Sequence, residues 1–150
     1  MVDYPTLKLQ LVTLLGEKLS EDVYEVILPT TTGEISVFPG HESLVTLAKS
    51  GVIAVRRKKT DTDDALEYFA TSGGIIEIDA DRVRVLVDEA DHGDDIIEAE
   101  TEKALQRALE MRDKATDKVE LEKATQLIDR HQTRLKVAGL RRHKNKTKFK

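Results

Sequence analysis

Over the first 87 residues apolar side chains recur at alternate positions in short runs, and beyond residue 95 they recur at every seventh position. This change of period constrains the fold more than any single motif. Alternation lines apolar groups along one face of a strand, whereas a seven-residue repeat lines them along one side of a helix. Leu7, Leu9 and Leu11 share one strand face, as do Val83, Val85 and Val87 near the end of the alternating part. The chain therefore divides into a β-domain over residues 1–87 and a helical part behind it.

Within the β-domain, residues 6–15 read as a strand closing on a turn at Gly16-Glu17. Residues 23–28 alternate next and stop at Pro29 and a Thr-Thr-Thr-Gly loop. Residues 33–37 and 44–48 frame a tight corner, in which Pro39 fixes φ and Gly40 supplies a positive φ. Residues 51–55 and 65–71 flank a polar hairpin tip, 75–78 follow the Ser72-Gly73-Gly74 bend, and 82–87 complete the series. About eight to ten short strands, each bounded by Gly, Pro or Asp, predict an all-β sandwich or flattened barrel. No helical pattern interrupts them, which argues against βαβ units.

Residues 88–94 read as a short acidic linker and 95–140 as an antiparallel α-helical hairpin. Asp95, three residues before Glu98, is a capping-box-like start. Ile97, Ala104 and Met111 then recur at seven, as do Thr101, Ala108 and Ala115. After a break near Thr116, Asp117 with Glu120 repeats the start signal. Leu121, Ile128 and Leu135 follow at the same spacing, beside Ala124, His131 and Ala138. Each helix is predicted to have roughly six turns and a length of about 33 Å, and so short a break makes the two antiparallel. An alanine-rich seam buries little area, and at about 25 cal/mol per Å² it holds the hairpin weakly enough to come apart.

The charges are segregated. Residues 88–102 hold eight acids and no Lys or Arg, while the basic tail, residues 141–150, holds six bases and no acid. A tail facing an acidic surface of the same protein fits this better than nucleic acid does, because Phe149 is its single aromatic and no stacking surface exists; its last residues are expected to be disordered. With no cysteine, disulfides and thiol chemistry are excluded. No apolar run is long enough to span a bilayer, and the N-terminus lacks the pattern of a signal peptide. Phosphate-binding glycine motifs are missing. His41, His92, His131 and His143 show no metal-ligand spacing, and Ser43 and Ser72 have no neighbouring base. His131 reads as a packed residue and His41 as a solvated turn residue. The acidic run does not match an EF-hand loop, and Asn145-Lys146-Thr147 reads as a chance sequon. No enzyme site, cofactor or metal is expected.

Four motifs in register resemble one known family, the epsilon subunit of F-type, proton-translocating ATP synthases. They are Gly33-Glu34 with Val37-Phe38-Pro39-Gly40-His41-Glu42-Ser43-Leu44-Val45-Thr46; Ser72-Gly73-Gly74-Ile75-Ile76-Glu77-Ile78; Val83-Arg84-Val85-Leu86-Val87-Asp88-Glu89-Ala90; and Lys103-Ala104-Leu105-Gln106-Arg107-Ala108. The domain order matches over essentially the whole chain. The resemblance implies a non-catalytic rotor subunit of the central stalk, coupling ring rotation to ATP synthesis and restraining ATP hydrolysis through its hairpin. The implied partners are the gamma subunit, the membrane c-ring and the alpha/beta catalytic head, with no nucleic acid and no direct membrane insertion. The implied location is peripheral, on the cytoplasmic face of a bacterial plasma membrane or the equivalent energy-transducing membrane.

Carried over residue by residue, the resemblance puts Glu34 and the turn Phe38, Pro39, Gly40, His41 and Glu42 against the ring. It also gives Arg134, Lys136, Arg141, Arg142, Lys144 and Lys146 to the catalytic head when the hairpin is raised. Some members carry an ATP-binding pattern, Ile-Asp-x-x-Arg-Ala-x-x-Ala, which falls here on residues 96–104. Ile97 takes the Asp position, Glu100 the Arg position and Thr101 the following Ala position. An acid where a cation should meet phosphate is unfavourable by sign alone, which argues against ATP binding. The competing reading is a free-standing β-sandwich interaction module whose helical hairpin dimerises.

Overall fold

The computed structural model describes residues 4–148, with side chains over 4–141. Ten strands come first: β1 Leu7–Thr13, β2 Gly16–Val23, β3 Glu25–Thr30, β4 Gly33–Val37, β5 Leu44–Ala48, β6 Gly51–Arg56, β7 Glu67–Thr71, β8 Gly74–Ile78, β9 Arg82–Val87 and β10 Ala90–His92. Two helices follow, α1 Glu98–Lys114 and α2 Lys118–Lys148. The strands run in the order β10-β7-β6-β3-β5-β8-β9-β1-β2, with β4 on β3 alone. Curled on itself, this sheet is a sandwich verging on a closed barrel, as the alternation predicts.

The first and the ninth strands pair in parallel, Leu9 opposite Val83 and Leu11 opposite Val85. That single parallel pair attaches the β1–β2 hairpin to the β9 end of an otherwise antiparallel path. Alternation then fills the interior: Leu7, Leu9, Leu11, Val26, Leu28, Ile76, Val83 and Val85 are all buried in one core.

The structure corrects the sequence reading in several places. The strand expected over residues 6–15 stops at Thr13. Leu14 and Leu15 form the tip of the β1–β2 hairpin, because Gly16, at φ 114°, turns the chain back. The tip hydrogen bonds use the Thr13 hydroxyl, which accepts from Leu15 N–H and donates to the Gly16 carbonyl. Strand β2 is so polar on its exposed side that alternation did not show it.

The expected linker 88–94 contains strand β10, with Ala90 opposite Thr71 and His92 opposite Phe69. Burial of Ala90 and an edge-to-face contact between the His92 and Phe69 rings, 4.9 Å apart, hold it there. The β-domain thus runs through His92. The N-cap position of α1 is also Ile97 rather than Asp95. Residues 93–95 make a 3-10 turn capped by His92, whose Nδ1 accepts from Asp94 N–H at 3.0 Å. Ile96 is then buried under α2, which delays the start of α1 to Glu98.

The second cap does form: Asp117 Oδ1 accepts from Glu120 N–H at 2.8 Å, and the Glu120 carboxylate accepts from Thr116 N–H at 3.0 Å. The helices are unequal, 17 and 31 residues, or about 26 and 46 Å at 1.5 Å per residue. Residues 141–148, expected as a tail, continue α2. The seam also narrows relative to the heptads. Thr101 and Ala108 face Ala124, Ile128 and His131, whereas Ile97, Met111 and Leu121 stay exposed.

Candidate interaction surfaces

The sandwich has two outer faces with apolar side chains, and the described residues of α2 pack on one of them. Helix α2 packs on β7 and β6, placing Val137 and Ala138 against Ala70 and Ile96, flanked by Val52 and Tyr68. Three arginines of α2 anchor it. Arg130 Nε lies 2.6 Å from Glu89 Oε2, Arg134 Nε lies 3.4 Å from Asp91 Oδ2, and Arg141 Nη1 donates to the Gly93 carbonyl at 2.7 Å. The acids read from sequence as a solvated linker are therefore counter-charges of the helix. Of the cations assigned to the catalytic head, Arg134 and Arg141 are engaged here and Lys136 is exposed; the side chains of Arg142, Lys144 and Lys146 lie outside the described residues.

Among the described residues the other outer face keeps exposed apolar side chains. Strand register sets Leu47 opposite Ile75, Ile75 opposite Leu86 and Leu86 opposite Val12, one apolar row across four strands. Leu47 is 59% exposed and Ile75 43%, with Val45 beside them at 71%. In the neighbouring row, Val45, Glu77, Arg84 and Gln10 stand in register. Arg84 Nη1 donates to Glu77 at 3.4 Å, while the buried Arg84 Nε and Gln10 Oε1 have no hydrogen-bond partner. Sequence reasoning missed this surface. The signal was present in Leu44-Val45-Thr46-Leu47-Ala48, a strand apolar on both faces, but the row itself depends on register.

At the corner, Gly40 takes φ 89° and donates its N–H to the Ala80 carbonyl at 2.7 Å. The Ser43 hydroxyl donates to Asp79 Oδ1 at 3.2 Å, so the 79–81 turn braces the corner. His41 Nδ1 lies 2.6 Å from its neighbour's carbonyl oxygen, on Glu42. Phe38 is exposed and stacks edge-on against Tyr24 at 5.6 Å. Glu34 sits at the far end of β4, opposite Pro29. Over four residues of strand, that separates it from Phe38 by about 14 Å. The corner residues 38–42 are brought together, and Glu34 joins them only for a partner broad enough to reach both ends of β4.

The residues of the degraded nucleotide pattern form no cationic site. Ile97 precedes α1 with its side chain exposed, Glu100 is exposed, and the Thr101 hydroxyl is spent on the Ile97 carbonyl at 2.9 Å. A groove of about 1160 Å³ separates the Leu14-Leu15 tip from Met111, Lys123 and Leu127 of the hairpin. Two carboxylate–guanidinium clusters brace the β-domain. Arg56 links Glu25 at 3.0 Å to Asp63 at 2.7 Å. Arg57 joins Glu67 and Glu21, and the hydrogen bond from Arg57 holds the Glu67 carboxyl below its ordinary range. Among the described residues no three His, Asp or Glu side chains converge to hold a metal, and no helix is long and apolar enough to cross a membrane.

Residues 6–93 match the family model described as the beta-sandwich domain of the ATP synthase delta/epsilon chain. The ATP synthase epsilon chain of Synechococcus sp. (strain WH7803) is 39% identical over 120 residues, covering 76% of this chain and 82% of that one. That of Staphylococcus aureus (strain JH9) is 32% identical over 137 residues, covering 91% and 98%. Among solved structures, a chain in the Euglena gracilis mitochondrial ATP synthase (OSCP/F1/c-ring) superposes with a TM-score of 0.74 at 21% identity, covering 91% of this chain and 82% of that one, a likeness of fold.

Proposed function

The chain belongs to the delta/epsilon family of ATP synthase subunits, and from that premise we propose that it is a non-catalytic rotor subunit of the central stalk, coupling ring rotation to ATP synthesis. The observation that carries this reading is the apolar row Leu47–Ile75–Leu86–Val12, exposed at Leu47 and Ile75 and half-buried at Leu86 and Val12. An apolar sheet face left in water is a surface waiting for a partner. The partner proposed for it is the gamma subunit, broad enough to lie across four strands. Unpaired Arg84 Nε and Gln10 Oε1, in the next row, would supply polar contacts to the same partner.

The corner 38–42 and Glu34 are proposed to meet polar loops of the membrane ring, which would hold the subunit peripherally at the membrane on its cytoplasmic side. The hairpin is the proposed restraint on hydrolysis. Docked, it keeps Arg134 and Arg141 on Asp91 and Gly93. Raised, it would exchange those contacts for acidic loops of the alpha/beta catalytic head, with Lys136, Arg142, Lys144 and Lys146 joining them.

Capture by an immobilised gamma subunit tests the central claim. The native chain should bind stoichiometrically, and Leu47→Glu with Ile75→Glu should weaken capture by about tenfold or more. The two glutamates would stand opposite each other on adjacent strands, so the melting temperature of the isolated double variant should fall modestly while the chain stays folded at the temperature of capture. Undiminished capture by the double variant would remove this face from the interface. For the restraint, removing residues 142–150 should raise ATP hydrolysis by the assembled enzyme and spare synthesis; equal hydrolysis rates would remove the brake.

A further inference from the structure

His131 is 8% exposed and lies on the buried stripe of α2, among Ala124, Ile128 and Ala138. Its Nδ1 is buried and has no hydrogen-bond partner. Among the described residues the charges that bear on the ring are cationic: Arg130 and Arg134 from its own helix, and Arg107 from α1 across the seam. The carboxylates facing α2 from the sheet edge are already engaged, Glu89 by Arg130 and Asp91 by Arg134. Glu67, on β7, is engaged by Arg57 and His92.

We propose that His131 is a proton-sensitive latch of the helical hairpin. The neutral ring packs into the α1–α2 seam and lets the hairpin close; the protonated ring adds a further positive charge among three guanidinium groups, and the helices separate. A seam lined by Thr101, Ala108 and Ala124 holds too little apolar area to retain a buried, unpaired charge. Burial first, and then the three arginines, hold the closed-state imidazole below its ordinary value of 6.5. An imidazole released to water regains that value. The closed form is therefore favoured in full above pH 6.5 and loses ground as the pH falls below it, by at most about tenfold for each pH unit. No enzyme partner is needed for this equilibrium, so it stands apart from the proposed place in the rotor.

The chain has no cysteine, so a donor and an acceptor dye can be placed at Lys103→Cys on α1 and Lys136→Cys on α2, both exposed positions. Energy transfer in the full chain should report closed helices at about pH 8 and a separated population at least threefold larger at about pH 5.5. In His131→Gln the signal should be flat across that range, whether the hairpin starts open or closed. Arg107→Gln keeps the imidazole but removes the charge across the seam, and it should weaken the response. His92→Gln should leave it intact. An unchanged separated fraction in the native sequence, an equal rise in His131→Gln, or loss of the response in His92→Gln would each overturn the proposal.

Discussion

Arg141 Nη1 donates to the carbonyl of Gly93, 2.7 Å away and 48 residues earlier in the chain. This bond pins α2 over the 93–95 turn at a point of close approach. A Cβ at Gly93 would stand 3.2 Å from Val137 Cγ1 and 3.3 Å from the Tyr68 carbonyl oxygen.

Val137 is fully buried and has little room to yield. Gly93→Val should therefore loosen the docked helix by about 1–3 kcal/mol, the ordinary cost of overpacking. Hydrogen exchange should show amides near residues 130–141 losing protection while those of β1 and β9 keep theirs. Equal protection in both regions would mean that docking does not depend on this approach.

The Arg56 cluster separates buried from exposed ion pairing. Arg56 and Glu25 side chains are 15% and 8% exposed, whereas Asp63 is 87% exposed. Arg56→Met strands a buried carboxylate and should cost about 3 kcal/mol in urea denaturation. Asp63→Ala should cost under about 1 kcal/mol. Similar losses for the two would contradict the burial ordering.

Glu67 sets an acid limit on the β-domain. Its carboxyl is held below the ordinary 4.5, first by the Arg57 hydrogen bond. A lowered carboxylate contributes its full stability above the unfolded value and loses it as the pH falls through the folded one. The urea midpoint should thus drop below about pH 4.5, and Glu67→Gln, weaker at neutral pH, should show a shallower drop. Parallel pH profiles would place the acid sensitivity elsewhere.

Millimolar ATP should leave the melting temperature of the isolated chain unchanged. A ligand well above its Kd adds roughly 2–4 kcal/mol to the folded state, a shift that melting readily detects. Glu100 puts an acid where the family pattern has a cation, and the Thr101 hydroxyl is already bonded within the helix. A clear upward shift would locate a nucleotide site among other residues, with Arg107 the first to replace.

Several features were legible because they are local. Pro39-Gly40 announced the corner, and Gly40 does take a positive φ there. Asp117 and Glu120 announced the start of α2, and their cap is in place. His131 sat on an apolar helix face, and it is buried. Other features were hidden by the same locality. Leu14 and Leu15 extend an apolar run, yet Gly16 makes them a tip. Asp88, Glu89 and Asp91 resemble a solvated linker until Ala90 pairs with Thr71 and the arginines of α2 arrive.

By itself the sequence determined which side of each element is apolar, since period two and period seven follow from backbone geometry within a few residues. It thereby determined a β-domain followed by a helical hairpin. What covers each apolar side was decided only in the tertiary structure. Burial is non-directional, so alternation in β1 and β9 could not state that Leu9 would lie opposite Val83. Nor could the α2 heptads state that Val137 and Ala138 would cover Ala70, taking one outer face of the sandwich and leaving Leu47 and Ile75 exposed on the other, in one row with Leu86 and Val12. That row exists only once register aligns four strands drawn from residues 7–87, and register is fixed by the sum of contacts across the whole sheet.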